Sequence, residues 1–172
     1  MRTPGDEVLF KDKWMELRKK DNWYTYAHNT HGDGVAVLGT RQISGMVRQY
    51  LVRVEHTPPH GIGFRYTSLT GSIENGDLPR TTAVRELKEE SGFIVSPDEL
   101  IDLGWVYPSK FSDYKQHLFL VHLDGREQGE IEGDGSKGEE GASVIWMSIS
   151  AALAVNDPSI GATVARWHWG VK

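Results

Sequence analysis

Residues 71–93 read GSIENGDLPRTTAVRELKEESGF. Pro79 suits the first position of a helix and Gly92 suits its end, so a helix is predicted from Pro79 to Glu90 or Ser91. At about 100° per residue, Glu86, Glu89 and Glu90 fall within an arc of roughly 100°, with Ala83, Val84, Leu87 and Ser91 on the adjacent arc. Like charges at i, i+3 and i+4 destabilise an isolated helix, and Glu89 and Glu90 also lie where the helix dipole disfavours anions. Three carboxylates in that position call for a cation. Carboxylate oxygens are hard ligands suited to Mg2+ or Mn2+, and Mg2+ ordinarily completes its shell with water and substrate phosphate. The helix start is poor, because Leu78 falls at the N-cap and Arg80 opposes the dipole in the first turn.

Outward from this helix the chain alternates strands with helices. Phe64 to Thr70 reads as a strand feeding Gly71, and the preceding HTPPHGIG (56–63) must be a loop, because its prolines and glycines remove donors and relax the backbone. Upstream, EVLF (7–10), KWMELRKK (13–20) and NWYTYAH (22–28) read as short strands, followed by GVAVLGT (34–40) and MVRQYLVRVEH (46–56). Downstream, LIDLGWVYP (100–108), HLFLVHLD (117–124) and SVIWMS (143–148) read as strands, SAALAV (150–155) as a short helix and SIGATVARWHWG (159–170) as an amphipathic one. The interval 124–141 holds seven acidic residues, two basic residues and six glycines, the composition of a surface loop. An α/β domain with a mixed sheet is expected, spanning residues 1–172 as one unit.

Nineteen Lys plus Arg against 24 Asp plus Glu give a formal charge of −5, which argues against polyanionic nucleic acid as the partner but leaves a small phosphorylated ligand open if a metal supplies positive charge. The first residues, MRTPGDEVLFKDKW, lack an apolar signal core, and no run approaches the ~20 apolar residues of a membrane span. A cytoplasmic protein without membrane contact is therefore expected. The absence of cysteine excludes disulfides, thiolate metal sites and cysteine nucleophiles.

The central stretch resembles the signature of the Nudix hydrolases, G-x5-E-x7-R-E-U-x-E-E-x-G-U, where U is a bulky aliphatic residue. Gly71, Arg85, Glu86, Leu87, Glu89, Glu90 and Gly92 match at the required spacings. Asp77 stands where the family has Glu, and Phe93 stands at the last aliphatic position. The resemblance implies an α/β/α sandwich and metal-dependent hydrolysis of a nucleoside diphosphate linked to another moiety. It implies Glu86 and Glu90 as direct ligands of Mg2+ or Mn2+, Glu89 as the ligand of a further ion, and the Thr70 carbonyl as a backbone ligand. Arg85 would position the loop and its carboxylates. Glu140, ahead of SVIWMS, matches in position the general base of some ADP-ribose-hydrolysing relatives; Glu139 and Asp113 are the alternatives, with Tyr114 in place of a Glu that relatives often carry after that Asp.

Pro108, 15 residues after Phe93, and KWMELRK (13–19) resemble the ADP-ribose and nucleoside-diphosphate-sugar pyrophosphatase branch. A purine needs an aromatic platform, for which Trp14, Trp23, Tyr24 and Tyr26 are available, whereas Trp167 and Trp169 read as packing residues. The branch commonly carries an arginine after a Gln-Tyr pair. Here Leu51 follows Gln49 and Tyr50, and Arg53, which shares strand parity with Leu51, is the substitute substrate contact. Another nucleotide sugar such as GDP-mannose, a dinucleoside polyphosphate or modified nucleoside triphosphate, or a non-catalytic binding role remain as alternatives. The branch is typically homodimeric, and the aromatic residues of segment 1–28 suit a strand extension that contributes to a dimer interface and to the base pocket.

Overall fold

The apolar residues 35–38 are buried on both sides, and this sets the layering of the whole chain. The computed structural model describes residues 7–13, 15–28, 33–43, 45, 47–57, 61, 63–74, 76–132 and 141–170. In chain order the strands are β1 (Glu7–Lys11), β2 (Met15–Lys20), β3 (Trp23–His28), β4 (Asp33–Ile43), β5 (Val47–His56), β6 (Phe64–Thr67), β7 (Leu69–Ser72), β8 (Ile101–Val106), β9 (Lys115–His122) and β10 (Ser143–Ser148). Helix α1 (Pro79–Ser91) follows β7, and α2 (Ile149–Leu153) and α3 (Pro158–Trp169) follow β10. Val35 and Val37 turn to one face of β4 and Ala36 and Leu38 to the other, as the strand period of two requires. The first face packs with Leu51, Phe119 and Leu87 of α1, and the second with Tyr50, Leu120 and Ile160 and Val164 of α3. Helices therefore cover both faces, giving an α/β/α sandwich.

The sheet is mixed and runs β10-β5-β4-β9-β8, with β4 parallel to β9 and its other pairings antiparallel. Its decisive feature is a fork. Along one edge β4 pairs with β5 from Gly39 to Ile43, and with β7 from Gly34 to Val37. Strand β5 instead takes β6 as its partner from Arg53 to His56. The expected single strand Phe64–Thr70 is thus two strands. The chain follows β5 to Thr67, turns at the buried Ser68 and returns along β4 into Gly71.

The bounds of α1 agree with expectation, with Leu78 at the N-cap without a side-chain bond and Gly92 in the left-handed region (φ 75°), its N–H 2.8 Å from Lys88 O. Arg80, unfavourable in the first turn, has other partners: Nη1 donates to Pro97 O (2.9 Å) and Leu100 O (2.6 Å) of the 3₁₀ turn Pro97–Glu99, an element not foreseen. Trp167 packs against the α3-side core, but Trp169 is 67% exposed and does not pack as expected, because it falls on the outer side of the last turn. Strands β1–β3 form a separate antiparallel meander, which docks on the β8–β9 connection through Tyr26 N–H to Phe111 O (2.9 Å). Among the described residues no helix is long and apolar enough to cross a membrane.

Asp157 ties α3 to the fork. Its Oδ1 accepts from Ser159 N (2.8 Å) and Ile160 N (2.9 Å) as the helix cap, and its Oδ2 accepts from the buried Ser68 N (3.1 Å). Asp157→Ala loses the cap and orphans a buried amide, so a loss of about 2–3 kcal/mol is expected, read from the denaturant midpoint. Asp157→Asn keeps an acceptor for the cap and should retain more of the stability. Equal midpoints for the parent and the alanine variant would refute this role.

Candidate active site

Helix α1 buries Thr82, Ala83, Glu86, Leu87, Glu90 and Ser91 against the sheet, a stripe with helical spacing. Ala83 and Leu87 fill the core, and Glu86 and Glu90 lie at its border, 8% and 7% exposed. Two carboxylates so deeply placed need charged or hydrogen-bonding partners. Arg85 supplies one set, with Nη2 2.8 Å from Glu86 Oε1 and Nη1 3.1 Å from Glu89 Oε2. Among the described residues these glutamates, and not Asp77, are its ion-pair partners. Asp77 is exposed on the loop before α1.

Glu90 reaches into the fork. Strand β7 pairs with β4 and β6 with β5, so the Thr70 amide lies outside the ladder and donates to Glu90 Oε2 at 2.8 Å. In extended backbone the carbonyl of a residue points to the same edge as its N–H, so the Thr70 carbonyl belongs to the same open edge of β7. Arg53, on the α1 side of β5, meets Glu90 Oε1 through Nη1 and lies with Nε 3.0 Å from Glu55 Oε2. It is 3% exposed, which places it behind Glu90 instead of open to a sugar. The cations required by the crowded carboxylates are thus in part protein groups, Arg85 and Arg53.

Two glycines permit these close approaches. A Cβ on Gly71 would overlap the Glu86 carboxylate, and a Cβ on Gly34 would overlap the Tyr114 hydroxyl. Tyr114 therefore lies over β4 near the Gly71 carbonyl. Burial first, and then the charges of Asp33, Tyr26 and Glu86, push its phenol up to about 12, so it stays protonated at neutral pH. Sequence reasoning noted Tyr114 only as a replacement for Glu; the signal for its placement was the glycine opposite it on β4. Asp113 turns the other way, 4.0 Å from Arg18 of β2. Among the described residues no group of three or more His, Asp or Glu converges in a metal-holding arrangement, since Glu86 and Glu89 turn to Arg85 and Glu90 to Arg53.

The aromatic residues gather elsewhere on the chain. Trp23 and Tyr24 are 57% and 52% exposed, and with Tyr26, Lys110 and Phe111 they line an open hollow of about 720 Å³. The Trp23 and Phe111 rings are 6.2 Å apart, with Lys110 Nζ 5.7 Å and 5.0 Å from their respective centres. Pro108 lies in the same β8–β9 connection, half-buried between Tyr107 and Ser109. Trp14, Glu139 and Glu140 fall outside the described residues.

Comparison with known proteins bears on the family and the fold. An ADP-sugar pyrophosphatase of the mouse is 25% identical over 154 residues, covering 76% of this chain and 67% of the relative. Among solved structures, an Ap4A hydrolase of C. elegans shares the fold with a TM-score of 0.58 at 17% identity, over 80% of this chain and 96% of that one. A MutT/nudix family protein of Enterococcus faecalis superposes with a TM-score of 0.53 at 17% identity, over 68% of this chain and 43% of that one. The family model of the NUDIX domain matches residues 30–168, a span that takes in the fork, helix α1 and both helices of the opposite face; the chain belongs to the Nudix hydrolases.

Proposed function

We propose that the chain hydrolyses the pyrophosphate bond of ADP-ribose or a related nucleoside diphosphate sugar, giving a nucleoside monophosphate and a sugar phosphate. The observation that carries the reading is the seating of Glu86 and Glu90 on β7, where the missing Cβ of Gly71 leaves room for one carboxylate and the Thr70 backbone meets the other. Glu86, Glu89, Glu90 and the Thr70 carbonyl would supply oxygen donors, the chemistry that suits Mg2+ with Mn2+ as a substitute, as the glutamates turn from Arg85 and Arg53 toward the ion. When bound, such an ion neutralises phosphate oxygens and lowers the pKa of an attacking water.

The remaining work falls to the chain. Arg85 holds Glu86 and Glu89 in place from the solvent side. Glu140 is the proposed base that takes the proton from water as the new P–O bond forms and the bridging P–O bond breaks. Trp23 and Tyr24, beside Phe111 and Lys110, offer π-faces and a positive charge suited to a nucleotide base and its phosphates. Pro108 shapes the connection that carries Lys110 and Phe111. The similarity to the mouse ADP-sugar pyrophosphatase supports a sugar substrate, and a dinucleoside polyphosphate is the second reading to test. A homodimer is also proposed, because β1 is exposed along its whole length and presents Val8, Leu9 and Phe10.

Glu90→Gln should reduce Mg2+-dependent turnover of ADP-ribose by at least about tenfold with the fold retained, and Glu86→Gln should do the same. Assays of the parent with ADP-ribose, GDP-mannose, a dinucleoside polyphosphate and nucleoside triphosphates test the substrate class; preference for either of the last two would reject the sugar. Glu140→Gln should lower kcat with KM little changed, and a collapse in Asp113→Asn alone would move the base to Asp113. Gly71→Ala should lower turnover at least as much as Glu86→Gln, because the new methyl displaces the Glu86 carboxylate. Light scattering should give twice the chain's 19.3 kDa, and a monomer mass at micromolar concentration would reject the dimer.

A further inference from the structure

The Arg53 guanidinium is buried between two carboxylates, and the arrangement is asymmetric in a way that bears on the site. On one side Nη1 meets Glu90 Oε1, while the other Glu90 oxygen accepts the Thr70 amide at 2.8 Å. On the other side Nε lies 3.0 Å from Glu55 Oε2, and Glu55 Oε1 accepts the Thr67 hydroxyl at 2.8 Å. Glu55 is 21% exposed at the side chain, against 7% for Glu90. One buried guanidinium facing a single carboxylate would make a closed neutral pair, and a carboxylate so matched is a weak ligand for a second cation. Here one positive charge serves two acids, leaving a net negative charge on the three groups, and of the roughly four lone-pair directions of the Glu90 carboxylate the Thr70 amide takes one, while Arg53 Nη1 meets the other oxygen as a charge contact.

We propose that Arg53 is a positioning residue that holds the Glu90 side chain in place for a divalent cation, and that Glu55 sets the affinity for that cation by drawing off part of the guanidinium's charge. The inference rests on Glu90 as a metal ligand, the reading given under the proposed function. It replaces direct contact between Arg53 and the sugar, for which a 3% exposed side chain offers little surface.

Removing Arg53 leaves two carboxylates facing each other in a buried place, and unfolding would then obscure the result. The test therefore uses Glu55. Binding of Mn2+ alone, without substrate, is followed by electron paramagnetic resonance of the free ion for the parent, Glu55→Gln, Glu90→Gln and the double variant, with melting temperatures recorded for all four. Glu90→Gln should weaken Mn2+ binding by at least about tenfold, and unchanged binding there would reject the ligand reading itself. Glu55→Gln should weaken it by roughly fivefold, a coupling of about 1 kcal/mol, because the undivided guanidinium then competes fully for Glu90. In the Glu90→Gln background the Glu55 substitution should have no further effect. Three results overturn the proposal while leaving Glu90 a ligand: Glu55→Gln binding Mn2+ within twofold of the parent, whatever its melting temperature; Glu55→Gln binding more tightly; or equal weakening in both backgrounds, which marks a general field of charge acting without Arg53.

Discussion

Two helix carboxylates buried against a sheet are the constraint on which this chain is organised. A carboxylate placed in a protein interior costs several kcal/mol unless its charge is matched and its lone pairs are met. Glu86 and Glu90 occupy the buried stripe of α1 that Ala83 and Leu87 also occupy, so packing the helix buries them inevitably. The sheet meets the cost by being incomplete. Where β4 and β5 part, β7 presents an amide outside any ladder, and Glu90 takes it. A continuous β4–β5 hairpin would satisfy its own backbone and leave that carboxylate facing paired amides.

The fork in turn depends on residues remote from the carboxylates. The turn at Ser68 is buried, and its amide is met from the opposite layer, by the Asp157 side chain that also caps α3. Helix α3 therefore contributes to the site on α1 through one hydrogen bond that crosses the sheet at the point where the chain passes from β5 to β4. This links packing to chemistry in physical terms: the second layer fixes the turn, the turn directs β7, and β7 offers Thr70 and Gly71 to the glutamates.

Much of the frame was legible in the sequence because its signals are local. Period, Pro79 and Gly92 delimit α1, and the apolar run of β4 reads as a strand, while the layer on each face was what the resemblance carried by residues 71–93 implied. The break at Ser68 was not legible, since it depends on which strands Thr67 and Leu69 pair with, and FRYTSLT reads equally well as one strand. Strand parity put Arg53 on the same face as Leu51, but parity cannot tell a group open to substrate from one sealed behind a carboxylate; that depends on the depth set by β6 and β10 on either side of it. Trp169 was misjudged for a similar reason. An amphipathic pattern identifies a buried stripe but not where the last turn leaves the body of the protein.

Tyr114 shows how an unusual residue joins the two halves of the candidate site. Its ring lies over Gly34 at the start of β4, and its hydroxyl shares the electrostatic surroundings of Glu86 on α1 and Tyr26 on β3. Residue 26 is also where the N-terminal meander bonds to the β8–β9 connection that carries Phe111 and Lys110. A glutamate at position 114 would add a third negative charge to Asp33 and Glu86, and burial would raise its energy further. A protonated phenol fills the same depth without adding charge and brings a rigid ring that packs where a carboxylate would need solvent. The substitution thus favours a fixed spacing between the aromatic hollow and the carboxylate helix, and it removes position 114 from the groups that accept a proton at neutral pH.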